Sequence, residues 1–399
     1  MNRTALTAWL LLFGVILNFD KTLMSLVVQV LQKDLGWSAS DAGDLLSVIY
    51  VSFCLATVPS GWIIDRYHYR GYVRCSLAII CLGSLLFFAA SQSTTLLAMP
   101  IVFLAIRFLT GLGYPGYTTG VPKIIQENYE HSVKGTVQGF VLSTFGIGAI
   151  ISFTVGIHFI AQWQYLYLVL AAGFAFLWLT SAALPRAQVT TDTKAKLKID
   201  FFAAWRDRNT LILALLMIVI DMVCMAIMNW LPTLLNQKFG LQTNDMTSVL
   251  LGYAVVLTVG VSTVAILRKK FFMGKEGIFI ALCSVFSAAL LFWFETSDSL
   301  IVATVTMYGA NLLLTWSFGL IWVMPFDFVK PAMMASSFAV INIGSIIGGI
   351  AQGTLIGRIV DWSGSFTAAI LFMAAALLIA AILPQMLRKV SESAPANNG

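Results

Sequence analysis

The chain has 399 residues, of which 59% are hydrophobic and 11% charged, and its formal net charge is +6. A water-soluble domain carries about a quarter of its residues as charge, so a soluble globular fold is excluded. The basic surplus calls for no nucleic acid, because membrane proteins keep Lys and Arg on the cytoplasmic side.

The apolar run that follows Arg3 is too long for a cleaved signal and reads as the first retained helix. Behind it come further apolar blocks long enough to cross a bilayer core, which takes about 20 helical residues. The pattern predicts spans at 8–31, 42–64, 72–92, 96–122, 136–158, 163–185, 210–235, 246–267, 276–296, 299–325, 332–357 and 364–387. Most connections are short. The exception, 186–209, holds TTDTKAKLK and then the amphipathic FFAAWRDR, and reads as a linker with a short surface helix. The predicted architecture is therefore an all-α membrane protein of twelve helices in two six-helix bundles, 1–185 and 210–399.

Placing the N-terminus inside puts nineteen of the 24 basic residues on the cytoplasmic side, leaving Lys33, Lys238 and Arg358 outside and Lys21 and Arg107 within spans. Both termini are then cytoplasmic. Two halves joined by one basic loop suggest a duplication, the layout of carriers that rock two bundles about a central site. The five cysteines form no CxxC pair, and the three histidines include no pair at helical spacing. No metal or other cofactor is expected, and a membrane redox enzyme is disfavoured.

Charges inside spans come next, since one at mid-bilayer costs about 2.5–3.5 kcal/mol on insertion scales and usually faces a polar cavity. Asp20 and Lys21 lie about 18 Å into the first span at the helical rise, near the midplane. Arg107 and Asp221 are similarly deep in the fourth and seventh spans. The structural alternative is a buried pair in which Asp20 neutralises Lys21 or Arg107. Neighbours on a helix diverge by about 100°, so Asp20 and Lys21 should not face the same partner. Tyr50, Phe53, Tyr114, Tyr117, Trp230, Tyr308 and Trp316 could help to line a pocket, but each taken singly reads rather as an interface anchor or a filler of the bundle core. Mid-span amides want polar partners, which makes Asn311 and Asn342 candidates.

Between spans 2 and 3 runs Gly61-Trp-Ile-Ile-Asp65-Arg66-Tyr-His68-Tyr-Arg70. It resembles the loop signature of the major facilitator superfamily, with His68 where that family usually has glycine. In such a latch, made of Gly61, Asp65, Arg66 and Arg70, Gly61 permits close helix approach, and Asp65 caps a helix start or pairs with an arginine across a helix interface. The alternative is an ordinary basic loop. A narrower resemblance is carried by Asn18-Phe-Asp20-Lys21, Asp34-Leu-Gly36-Trp37-Ser38, Pro59-Ser-Gly61-Trp62, Arg107-Phe-Leu-Thr-Gly111-Leu-Gly113, Trp230-Leu-Pro232-Thr and Asn342-Ile-Gly344…Gly348-Gly349. These are similar to the anion:cation symporters, which move organic anions and sugar acids, often with protons.

That resemblance implies a bacterial inner-membrane carrier, not an enzyme, taking up a small organic anion with protons as the coupling ion; the short polar loops suggest a monomer. It implies that Arg107 grips the substrate carboxylate and that Lys21 stands for the family's arginine; Tyr50, Tyr114, Asn311 and Asn342, singled out by residue type and depth, are expected to complete the substrate site. Asp20 would carry the proton, with Asp221 as a substitute. The family's glutamate after the span 4 arginine is here Tyr114, which leaves coupling to Asp20 or Asp221, or makes transport a uniport or exchange. The alternative is an exporter of a drug or metabolite from the same superfamily, although span 5 lacks the proline of the drug antiporter motif.

Overall fold

The computed structural model describes residues 2–67, 69–185, 204–242, 245–329 and 334–388. Most of the 186–209 linker lies outside them, and of the amphipathic FFAAWRDR stretch only 204–208 is described, which turns into the next helix.

Eleven helices among the described residues are long and apolar enough to cross a membrane. The first half runs α1 Arg3–Leu35, α2 Ala39–Tyr67, α3 Tyr69–Ser91, α4 Pro100–Leu112, α5 His131–Ile151 and α6 Trp163–Thr180. The second runs α7 Arg208–Phe239, α8 Thr247–Leu267, α9 Glu276–Thr296, α10 Leu300–Ile321, α11 Met334–Ser363 and α12 Phe366–Ile382. The span that falls short of the length test is α4. Pro115 has no N–H for the helical ladder, so the span stops at Leu112 and resumes as Pro115–Thr118 and Gly120–Asn128.

The duplication expected from the layout has local counterparts. The α1 helix starts on an Asn2 side-chain cap, runs 33 residues and ends on Gly36 at φ 68°. Helix α7 starts on an Asp207 cap, runs 32 residues and ends on Gly240 at φ 66°. Both terminal glycines adopt the left-handed backbone that other residues resist. The broken α4 is echoed after α10, where a short helix restarts at Pro325. One π-helical turn follows α5 at Ser152–Gly156, and another follows α8 at Arg268–Phe272.

The halves meet along three helix pairs, α1 with α7, α2 with α11, and α5 with α8. Small residues set these approaches, as in other membrane helix interfaces. A Cβ on Gly43 of α2 would lie 2.2 Å from the carbonyl oxygen of Gly353 on α11, and one on Gly146 of α5 would lie 2.0 Å from Thr258 Oγ1 on α8. Hydrogen bonds between the halves gather at the face that carries Gly36. Ser47 Oγ donates to the Ile350 carbonyl and accepts from the Thr354 N–H, each at 2.7 Å. Further out, Lys33 Nζ donates to Gln242 Oε1 at 2.9 Å. The molecule is therefore closed at the Gly36 face.

Candidate functional site

Three of the four intramembrane charges converge through α1 and α4. Tyr114 stands seven residues after Arg107, just past the end of α4, where Gly113 and Tyr114 keep right-handed backbone angles, so the two side chains stay on one stripe. Gly111 between them seats α4 against α2, since a Cβ there would lie 2.5 Å from the Ile49 carbonyl. The stripe meets Asp20, which is 0% exposed. Arg107 Nη1 donates to Asp20 Oδ1 at 2.9 Å and to Oδ2 at 3.0 Å, and the Tyr114 hydroxyl donates to Oδ2 at 2.5 Å. Asp20 is thus fully occupied within its own half, and of the two roles open to it in the sequence the geometry realises the buried pair with Arg107. Asn18, from the same α1 segment, is held too, with its amide donating to the Gly14 carbonyl at 2.9 Å.

Lys21 turns away from that pair, as the helical angle requires. Its Nζ lies 5.1 Å from the ring centre of Tyr114, 5.7 Å from Tyr50 and 5.9 Å from Phe53. These are cation–π distances. Lys21 forms no hydrogen bond or ion pair among the described residues. Around it lies a narrow hollow of about 10 Å³ lined by Lys21, Met24, Leu46, Ile49, Tyr50, Arg107 and Asn229, room for about one water. The hollow takes residues from α1, α2, α4 and α7, so it sits on the seam between the halves. A larger cavity of about 240 Å³ lies toward the Gly36 face beside Lys33, Asp34 and Trp163 and contains none of the intramembrane charges.

Asp221, on α7, is 4% exposed and accepts a hydrogen bond from Ser345 Oγ of α11 at 2.7 Å. Gly348 lets α11 close on this segment, because a Cβ there would meet the Ile218 carbonyl at 2.7 Å. No Lys or Arg nitrogen lies within ion-pair distance of Asp221 among the described residues.

The other predicted site residues are distributed as follows. Tyr50 lines the hollow, its hydroxyl directed across the seam at Met225 Sδ, 3.8 Å away. Asn311 is buried between α8 and α10, its amide reaching the Tyr253 carbonyl at 3.4 Å, and does not line the hollow. Asn342 is half-buried on α11 and also lies off the lining. Helix α2 continues through Gly61, Asp65 and Arg66, but their side chains, like His68, lie outside the described residues. Arg70 donates to the Ala182 carbonyl, which ties α3 to the turn after α6 within one half.

Sequence reasoning passed over two residues. Asn229 is 4% exposed, lines the hollow and has no hydrogen-bond partner among the described residues. The mid-span amide criterion that selected Asn311 would have selected it as well. Ser345, the partner of Asp221, carries no such signal in an α11 segment rich in small residues.

Residues 8–351 match the family model of the Major Facilitator Superfamily. The chain is 22% identical over 415 residues to a putative tartrate transporter of Agrobacterium vitis, covering 97% of this chain and 90% of that protein. It is 24% identical to a quinolone resistance transporter of Acinetobacter baumannii, covering 88% and 85%. The fold superposes with a TM-score of 0.79 on a bacterial homologue of the human lysosomal transporter Spinster in an inward-facing, occupied conformation, at 14% identity and 96% coverage of both chains.

Proposed function

The chain belongs to the major facilitator superfamily, and we propose that within it the protein carries small carboxylates across a bacterial inner membrane, coupled to protons, with both termini in the cytoplasm. The observation that carries this reading is Lys21. It is a cation deep in the bundle, on the seam that alternating access must open, and no protein anion is bonded to it. Lys21 is half-buried, and Asp221 across the seam acts on it only from beyond bonding distance; a charge in such a place without a bonded partner is costly, and an arriving carboxylate supplies the bond. The tartrate relative fits such a solute, and quinolones are themselves carboxylic acids.

The roles then divide differently from the family pattern. Arg107 is already neutralised by Asp20, so that pair, steadied by Tyr114, acts as a brace joining α1 to α4 beneath the site. Lys21 takes the substrate carboxylate. Asp221 is the carboxylate free of any bonded cation, and so the one able to take up and release a proton without breaking an ion pair. Carboxylate on Lys21 together with a proton on Asp221 adds no net charge to the site, and that is the condition for moving both through a low-dielectric seam.

The test is uptake of radiolabelled carboxylates into proteoliposomes. Lys21→Ala should abolish uptake and Lys21→Arg should retain it, with both variants folded by size-exclusion profile. Uptake by Lys21→Ala at the unmodified rate would remove the reading. The quinolone relative favours a second direction for the same site, efflux, and everted vesicles separate the two by the sign of accumulation under an imposed pH gradient.

A further inference from the structure

Resting on the reading that Asp221 carries the proton, we propose that Gln352, with Thr233 and Asn229, forms the path by which that proton reaches Asp221 from the Gly36 face. With both termini in the cytoplasm, that face is the outer one.

The first support is the position of Gln352. Ser345 and Gln352 are seven residues apart on α11, two turns, and so share one stripe. Ser345 Oγ donates to Asp221 Oδ2 at 2.7 Å, so this stripe is the one turned to Asp221. Between the two, Gly348 seats α11 on α7, since a Cβ there would lie 3.2 Å from Asp221 Cβ. Gln352 follows on the Gly36 side, where the Trp230 indole N–H of α7 donates to its carbonyl at 3.0 Å.

The second is an asymmetry of hydrogen bonding about Asp221. Toward the Gly36 face, the buried polar side chains of α7 and α11 have no partner among the described residues. Gln352 is 0% exposed with neither amide atom bonded, and Thr233 Oγ1 and the Asn229 amide are unbonded too. Toward the opposite face, the same helices carry bonded groups. The Asn209 amide donates to the Phe328 and Arg388 carbonyls, and Thr210 is tied to Asp207 and Ser337. Buried polar groups are normally satisfied, and leaving them open is costly. Water admitted when the Gly36 face opens satisfies all three, and a file of water is what a proton travels along. The amides and the hydroxyl orient that water without ionising, and the proton passes from bulk water to the Asp221 carboxylate.

The third is the lack of a competing acceptor. Residues 334–357 of α11 and the whole of α12 hold no titratable side chain, and Tyr308 of α10 is turned to the Val249 carbonyl. Asp221 is faced by Lys21 of α1, Tyr50 of α2 and Cys224 of its own helix. The lysine already holds its proton as an ammonium, and the phenol and thiol are neutral acids, which leaves the carboxylate to accept.

The experiment uses the whole protein in right-side-out membrane vesicles and radiolabelled tartrate, succinate, D-gluconate and benzoate. It compares uptake driven by an acid exterior with substrate counterflow, for the unmodified chain, Asp221→Asn, Gln352→Leu and Gln352→Asn. The expected result is that Gln352→Leu lowers acid-driven uptake at least tenfold more than it lowers counterflow, and that Gln352→Asn restores most of the difference. Equal falls in both make Gln352 a determinant of opening alone and overturn the path. Drive lost in Asp221→Asn but intact in Gln352→Leu overturns the path and leaves the Asp221 reading standing. Drive intact in Asp221→Asn, or no uptake of any of the four that Lys21→Ala abolishes, overturns both.

Discussion

The carboxylate of Asp361, in the last turn of α11, caps Ala39, the first residue of α2. It accepts the Ala39 N–H at 2.9 Å and the Ser40 N–H at 2.8 Å. Helix starts carry unpaired N–H groups and a partial positive charge, both of which a carboxylate satisfies. Here the capping group comes from the opposite half of the molecule, so the bond exists only while the Gly36 face is closed. Asp361 is largely exposed, and a charge-assisted bond in that setting is worth about 1 kcal/mol. Asp361→Ala should therefore raise the population open at this face several-fold. Thiol labelling of a cysteine placed at Ser47, in an otherwise cysteine-free background, reads that population. Labelling unchanged by Asp361→Ala would show the cap to be incidental.

The same helix pair carries a ladder of close approaches. Gly349, Gly353 and Gly357 repeat every four residues along α11, and a Cβ on them would lie 2.6 Å from the Tyr50 ring, 2.2 Å from the Gly43 carbonyl and 2.3 Å from the Ala39 carbonyl. Backbone cannot yield as a flexible side chain can, so Gly353→Val forbids the closed arrangement seen here. The expected phenotype is loss of transport with each bundle still folded, because the collision lies between the halves and not inside either. Overpacking typically costs about 1–3 kcal/mol, enough to hold the face open. A normal transport rate in Gly353→Val would mean that α2 and α11 never need to come this close.

The long apolar runs were legible because lipid demands them, and their ends were not. Span 1 was expected at 8–31 but the helix is Arg3–Leu35, since hydropathy reports the hydrocarbon while the backbone ladder continues to the Asn2 and Gly36 caps. Span 4 was read as one run, 96–122, although Pro115 was in plain view. Charges in mid-span announced themselves by their cost, but their partners did not. Arg107 and Asp20 are 87 residues apart, and which helix face meets which is decided by packing. Asp361 gave no signal at all, because a charge at a span end is solvated and cheap. Yet Gly357-Arg-Ile-Val-Asp361 repeats the Gly-x-x-x-Asp spacing of Gly61–Asp65 in the opposite half.

Arg107 distinguishes a brace from a clamp. Removing one member of a buried ion pair leaves the other uncompensated, at about 3–5 kcal/mol, so Arg107→Gln alone should lower the melting temperature in detergent substantially. Asp20→Asn combined with Arg107→Gln removes both charges and keeps polar shape, and should recover much of that loss. As a brace, the pair is then dispensable for chemistry, and the double variant should transport at a measurable rate. A double variant that is stable yet wholly inactive would return the substrate carboxylate to Arg107.

Asp221 distinguishes coupled transport from exchange. Its carboxylate is bonded to Ser345 Oγ at 2.7 Å and to no cation among the described residues, so neutralising it breaks no ion pair, and Asn in its place can still accept from the same hydroxyl. Asp221→Asn should therefore fold and bind as the unmodified chain does. What it cannot do is release a proton on one side and regain it on the other. Substrate counterflow, which needs no net proton movement, should persist within about a factor of three, a difference of less than 1 kcal/mol in barrier. Accumulation driven by an imposed pH gradient should vanish. If both persist, the proton travels elsewhere, and a second variant, Asp20→Asn, asks whether the braced carboxylate carries it after all. If both are lost while Lys21-dependent binding remains, Asp221 serves the conformational change itself, in which its bond to α11 and not its proton is the working part.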